Sequence, residues 1–272
     1  MTQPKKIEPF KSTDALSIIK GLVVFASLIC ITVLVVALIS KFTFAHGRTA
    51  LIGVAGIWVF LSYIAIPRVH RSLTRLYVPD YYIGRARTGE GLLCDPINVA
   101  FTGTKKDIVK AMKKAGWTQA EKMNAKTAIL MAMRTLARKS YPNAPVHSMY
   151  LFNKKQDFTF QQEIGGKTSK RHHIRFWKTP KGWYLPGGAK ADWLAAATYD
   201  KKVGFSLFTL QITHKINADI DEERDFVLKT LTRTNSGIKI DIKERFSSAY
   251  HDINGGGDLI KTDGSMPFVR FH

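Results

Sequence analysis

The stretch Lys170-Arg171-His172-His173-Ile174-Arg175-Phe176-Trp177 concentrates cationic and protonatable side chains where apolar residues alternate. Alternation at period two predicts a strand, because successive side chains of an extended chain point to opposite faces. His173, Arg175 and Trp177 then share one face, and His172, Ile174 and Phe176 share the other. One face can be buried while the other holds a ligand. Arg175 with His173, helped by Lys170, Arg171 and His172, is a candidate phosphate-binding group, since guanidinium offers forked donors and imidazole can add a proton. The competing reading is an arginine paired with a structural acid such as Asp157 or Asp200.

Outward from this strand, the chain reads as a strand-rich region after Pro142 and Pro145. Strands are expected at 147–153, 158–164, 172–178, 193–199 and 205–216, separated by turns at Gly165-Gly166, Pro180, Pro186-Gly187-Gly188 and Gly204. Before it, 98–103 is a short strand and Thr104 caps a lysine-rich helix that ends at Gly116 and buries Ile108, Ala111, Met112 and Ala115. A helix at 125–139 is expected to bury Ile129, Leu130, Met133, Leu136 and Ala137, its methionines serving as core. After it, Asp219 and Glu222 have the spacing of a capping box and start a helix burying Ile220, Val227, Leu228 and Leu231. Ile238, Ile240 and Ile242 alternate with charged residues as a half-exposed strand, and 266–271 closes the chain after the Gly255-Gly256-Gly257 turn. The fold class is α+β, with a mainly antiparallel sheet and about three helices in the soluble domain.

The 272 residues carry 41 basic against 21 acidic side chains, a formal net charge of +20, so the chain favours anionic surfaces. Cys30 and Cys94 are the only cysteines, which excludes a disulfide framework and every multi-cysteine zinc pattern.

The N-terminal region has a different character. Residues 1–20 form a polar, lysine-containing leader, and residues 21–40 are an uncharged run that at about 1.5 Å per residue reaches the thickness of a bilayer core. A buried soluble helix and a signal peptide are the rival readings. The second uncharged run, 49–66, follows a link of only 41–48 and is closed by Pro67, so the two spans predict an N-terminal transmembrane helical hairpin over 21–67. Gly53, Ala55 and Gly56 give it a small-residue side suited to a membrane-protein partner or to homo-oligomerisation. Lys and Arg are denser outside the hairpin than in its link, which places both termini in the cytoplasm of an inner-membrane protein. Residues 68–76 form either a surface helix with arginines at 68, 71 and 75 or the solvated end of the second span. Residues 68–94, rich in glycine and proline toward their end, form a juxtamembrane linker, and the soluble domain runs over 95–272.

From Asp95 to about Phe226 the chain resembles the LssY C-terminal domain family of bacteria. The resemblance lies in Asp95-Pro96-Ile97-Asn98-Val99, Ala115-Gly116-Trp117, Tyr141-Pro142, Tyr150-Leu151-Phe152 with Gln156-Asp157, and His172-His173-Ile174-Arg175-Phe176-Trp177. It continues through Ala195-Ala196-Ala197-Thr198-Tyr199-Asp200, Ile212-Thr213-His214 and Glu222-Glu223-Arg224-Asp225-Phe226. Members of this family often sit beside membrane-spanning modules such as the phosphatidic-acid phosphatase type, which implies lipid-related work. This chain carries a hairpin in place of such a module, and residues 178–192 look longer than the corresponding family loop.

Two function classes follow. In the first, a membrane-anchored cytoplasmic domain binds an anionic lipid headgroup, a phosphate-containing ligand or a partner protein at the membrane surface. In the second, a phosphoester hydrolase or transferase uses His173 or His214 as acid/base and Arg175 to hold phosphate, which requires these groups to line an open cavity. His172, His173 and His214 with Asp200, Asp219 and Asp221 include ligand types that suit a divalent metal, but their spacing matches no metal motif, so no metal site or cofactor is assigned. No Walker loop, nucleophile elbow, dinucleotide glycine pattern or HExxH occurs, and no nucleic-acid-binding module accompanies the positive charge.

Overall fold

A computed structural model describes residues 15–45, 50–70, 84–137 and 139–271. The chain divides into two units, Met1–Pro79 and Asp80–His272. Residues 1–14 of the expected leader, 46–48 of the link between the apolar runs with 49 at the start of the second run, and 71–83 of the surface helix and linker lie outside the described residues.

In the first unit, helix α1 (Ala15–Ala45) is followed by α2 (Ala50–Phe60), which continues through a π-helical turn, Leu61–Ala65. Among the described residues one helix, Leu51–His70, is long and apolar enough to cross a membrane, and the apolar stretch Phe25–Lys41 is shorter. The helix itself continues past Pro67 to His70. A proline inside a helix lacks an N–H and crowds the preceding turn; here the turn before it is already widened, with the Ile66 N–H donating to the Leu61 carbonyl.

The second unit is α+β. Its main sheet has the order β11-β14-β3-β9-β8-β7-β4, where β3 is Val99–Thr102, β4 Thr118–Gln119, β7 Phe158–Ile164, β8 Lys167–Lys178, β9 Trp193–Phe205, β11 Ile238–Lys243 and β14 Met266–Phe271. The far half of β9 pairs with β10, Ile212–Ile216. Every pairing is antiparallel except β14 with β3. A smaller sheet has the order β2-β1-β5-β6, made of Arg85–Thr88 (β1), Leu93–Pro96 (β2), Met149–Leu151 (β5) and Lys154–Lys155 (β6). Strands β12 (Tyr250–Ile253) and β13 (Leu259–Thr262) form a separate hairpin.

The alternation in β8 sorts the two cores. Ile174 and Phe176 point to one face, where Val99, Phe101, Phe158 and Phe160 meet the buried sides of α3 (Lys105–Lys114) and α5 (Asp221–Thr234). Trp177 points to the other, where Leu194, Ala196 and Phe268 meet Ala86, Cys94, Met149 and Leu151 of the smaller sheet. Helix α3 starts at a true capping box: Thr104 Oγ1 accepts from the Asp107 N–H, and the Asp107 carboxylate accepts from the Thr104 N–H at 2.8 Å. Its buried residues include Ile108, Ala111 and Met112, as its spacing requires.

Three expectations are corrected. Residues 205–216 are not one strand, since β9 runs through Phe205 and a tight loop over 206–211 returns the chain as β10. Helix α5 begins at Asp221 rather than at an Asp219–Glu222 box; Asp219 instead accepts from the Asp221 N–H, and Glu222 accepts from the Asn217 amide. Helix α4 (Ala125–Leu136) leaves Ile129, Leu130 and Met133 exposed rather than buried. Periodicity defines an apolar stripe on a helix, but it does not supply the element that covers it.

The two faces predict different tolerances. Phe176, fully buried and stacked on Phe158 at 4.7 Å, should lose about 3–5 kcal/mol of stability as Phe176→Ala. Ile129→Ser should change it by less than about 0.5 kcal/mol. Urea unfolding of the full chain in detergent measures both, and equal losses would show that the stripe on α4 is covered.

Candidate functional site

The sheet brings the predicted basic cluster together and closes over it. Arg171, His173 and Arg175 lie on the face of β8 that meets the smaller sheet, with Gln161 and Asp200 on the strands to either side. Arg171 Nε donates to Asp200 Oδ2 at 2.9 Å, and its Nη1 donates to Gln161 Oε1 at 3.2 Å. Arg175 donates to Asp95 of β2, so an ion pair spans the gap between the two sheets. It also donates to His173 Nε2 at 2.6 Å, where Thr198 Oγ1 lies at 2.7 Å. These partners leave the His173 proton on Nδ1, which lies 3.6 Å from Asp200 Oδ1.

His173 is 2% exposed and Arg175 5%. The expectation of an open cavity lined by His173 and Arg175 is therefore corrected: their functional atoms face carboxylates and a hydroxyl inside the protein. Arg175 has taken the structural acid that sequence reading offered as its alternative, but the acid is Asp95 rather than Asp157 or Asp200. Burial is the main force holding the His173 imidazole well below its ordinary range, and Arg175 and Arg171 act the same way against Asp200. Burial alone would push the Asp200 carboxyl up, but the adjacent imidazoles of His173 and His214 and the Arg171 guanidinium hold it below the usual carboxylate range. Burial pushes the Asp95 carboxyl up, against the pull of Arg175. With His173 neutral, two guanidinium groups face two carboxyl groups.

His214, on β10, is near enough to act electrostatically on both Asp200 and His173. His172 points to the helical side, stacks on Phe226 at 3.9 Å and meets Glu223 of α5 at 2.6 Å from its Nδ1. Burial pushes the Glu223 carboxyl up to about 10 and the His172 imidazole down to about 4. The shared proton therefore sits on Glu223, which donates it to His172. Asp221 is engaged by Arg224 and Thr262, and Asp219 lies 3.9 Å from Lys261. Among the described residues no group of three or more His, Cys, Asp or Glu side chains is arranged to hold a metal ion. Burial pushes the Cys94 thiol up to about 12, so it is protonated and inert at neutral pH.

An open site lies elsewhere, where sequence reading placed only linker and turn. A cleft of about 640 Å³ runs between the β1–β2 hairpin and β12–β13. Its lining combines the polar Arg85, Tyr250, Asp252 and Thr262 with the apolar Leu93, Ile97, Phe246 and Met266. Arg85 is anchored by donating from Nε to the Cys94 carbonyl at 3.0 Å and from Nη2 to the Ile253 carbonyl at 3.3 Å. Its other partners are the Leu93 carbonyl, 3.5 Å from Nη2, and Asp252, whose side chain is 53% exposed. Burial pushes the Tyr250 hydroxyl up, so it remains a hydrogen-bond donor. Two sequence signals could have found this cleft: the Gly89-Glu90-Gly91 turn between two short runs, and Asn254-Gly255 at the head of a hairpin.

The LssY C-terminus family matches residues 75–266. No curated protein and no solved structure matches the chain.

The inward histidines and Glu223 set opposite pH arms. His173 is depressed when folded, so its contribution is present above the unfolded value of 6.5 and is lost as pH falls below it. Glu223 is raised when folded, so its contribution is present below the unfolded value of 4.5 and is lost as pH rises toward about 10. Thermal unfolding from pH 5 to pH 9 should show both arms, with Glu223→Gln flattening the alkaline arm alone; an unaltered alkaline arm would contradict the placement of the proton.

Proposed function

The chain belongs to the LssY C-terminus family, and we propose that it is a membrane-anchored binding protein that takes an anionic amphiphile in the Arg85 cleft. The ligand is a lipid headgroup or another phosphate-containing molecule with an apolar portion. The observation that carries this reading is the mixed lining of one cleft: an anchored guanidinium with Tyr250 and Thr262 together with the apolar Leu93, Ile97, Phe246 and Met266. Pockets that hold small molecules are mostly apolar with a few placed polar groups, and this cleft falls within their usual range of about 300–1,000 Å³.

In this reading the N-terminal region is a two-span hairpin over 21–67 with both termini in the cytoplasm. Support comes from the apolar helix Leu51–His70, the contact between α1 and α2, and the uneven distribution of Lys and Arg around the spans. The small side of Gly53, Ala55 and Gly56 suits a partner helix or a second copy of the chain. A hydrolase or transferase built on His173, His214 and Arg175 would need substrate to reach His173 and Arg175, which are enclosed, and their burial favours binding over turnover.

Asp252 is the lever for a test. It competes with an anionic ligand for Arg85 and is half exposed, so Asp252→Asn frees the guanidinium, which keeps its bonds to the Cys94 and Ile253 carbonyls. Titration of the full chain in neutral nanodiscs with dihexanoyl phosphatidylglycerol should show about fivefold tighter binding for Asp252→Asn, on the order of 1 kcal/mol. Dihexanoyl phosphatidylcholine should show no such gain. Equal binding of both probes, unchanged by the substitution, would overturn the reading.

A further inference from the structure

The loop between β9 and β10 reverses the ordinary arrangement of a water-facing hairpin. Its polar side chains turn inward: Ser206 and Thr209 are buried, the Thr209 N–H donates to Ser206 Oγ at 3.2 Å, and Ser206 Oγ donates to the Gly255 carbonyl at 3.3 Å. Its apolar side chains turn outward, with Phe205 58%, Leu207 70%, Phe208 44% and Leu210 43% exposed. The geometry is fixed rather than incidental. The Ser206 N–H donates to the Gln211 carbonyl, the Leu210 N–H donates to the Ser206 carbonyl, and Leu210 holds a left-handed backbone at φ 57°.

The loop is also tied to the tip of the β12–β13 hairpin. The Leu207 N–H donates to the Gly256 carbonyl, and Lys215 reaches the same carbonyl at 2.6 Å and Asp258 at 3.2 Å. A Cβ on Gly257 would stand 2.6 Å from Leu207, so only glycine permits this approach. The paired residues Ile253 and Leu259 of that hairpin are exposed as well and extend the apolar surface beside the loop. Lys201 and Lys202 follow on the stem of β9, both exposed.

We propose that this double tip, Phe205, Leu207, Phe208 and Leu210 with Ile253 and Leu259, inserts into the interfacial region of a lipid bilayer. A surface of aromatic and aliphatic side chains with its polar groups turned inward loses no hydrogen bonds on entering the acyl boundary. Lysines one stem-length behind it stand where anionic headgroups would lie, which matches the excess positive charge of the chain. The proposal rests on the membrane-anchored reading, since the anchor keeps the tip at a bilayer. The inserted hairpin β12–β13 also carries Tyr250 and Asp252, so insertion brings the Arg85 cleft to the headgroup layer.

The test uses the full chain in vesicles containing phosphatidylglycerol, with Cys30→Ser as background, Cys94 buried and unreactive, and the environment-sensitive dye NBD on one introduced cysteine at a time. Leu207→Cys and, as a second site on the loop, Phe205→Cys should give blue-shifted emission that spin-labelled lipids quench and iodide does not. Glu244→Cys, on an exposed position away from the tip, should be quenched by iodide alone. Quenching of both loop sites by iodide would overturn the proposal, and so would blue-shifted emission that spin-labelled lipids fail to quench, because a protein would then cover the tip. Val59→Cys separates the two readings. Lipid quenching at Val59 with aqueous loop sites leaves the anchor standing and removes only the insertion, whereas an aqueous Val59 removes the anchor and the proposal with it.

Discussion

The ion pair between Arg175 on β8 and Asp95 on β2 joins two sheets beside the apolar cluster of Ala86, Cys94, Leu194 and Phe268. A guanidinium and a carboxylate removed from water are tolerated only when each answers the other, so the pair fixes how the smaller sheet sits on the main one. The same condition extends along the strand. Arg171 answers Asp200, and neutral His173 fills the space between the two pairs with hydrogen bonds to Arg175 and Thr198. On the opposite face His172 and Glu223 meet the condition differently, by sharing one proton and carrying no net charge.

This use of arginine decides where the remaining charge can act. Arg85, Arg171, Arg175 and Arg224 each pair with carboxyl groups in the second unit, while Lys105, Lys106, Lys110, Lys113 and Lys114 line the outer side of α3 and stay exposed. The net charge of +20 is thus presented outward, chiefly by lysine. A diffuse lysine surface attracts anionic membrane without selecting a ligand, and selection requires a shaped site such as the cleft over Arg85. Position supports the same division: the cleft and the apolar tip share the β12–β13 hairpin.

Much of this fold is legible locally. Helix α3 could be read from Thr104, Asp107 and the spacing of Ile108, Ala111 and Met112, because a capping box and a helical stripe are short-range signals. The faces of β8 followed from alternation alone. What alternation could not supply was the partner of each face, since Asp95 is 80 residues from Arg175 and Glu223 is 51 from His172. A cationic strand face reads the same in sequence whether it awaits a ligand or is matched by distant acids. The short hairpins β1–β2 and β12–β13 were missed for a related reason: four-residue strands carry little periodicity, so the glycines at 89 and 91 read as linker and those at 255–257 as a turn with no strands beside it. Phe205, Leu207 and Phe208 read as the start of a strand over 205–216, and only the loop at 206–211 shows that the apolar side is the exposed one.

The central claim is that the basic cluster of β8 is matched inside the protein and is not a ligand site. A double-mutant cycle on Arg175→Met and Asp95→Leu, followed by chemical unfolding of the full chain, tests it most directly. Each single substitution should cost about 3–5 kcal/mol by leaving a buried charge alone, and the double substitution should recover much of that loss. Additive losses, with binding of anionic probes abolished by Arg175→Met alone, would contradict the account and return Arg175 to the ligand.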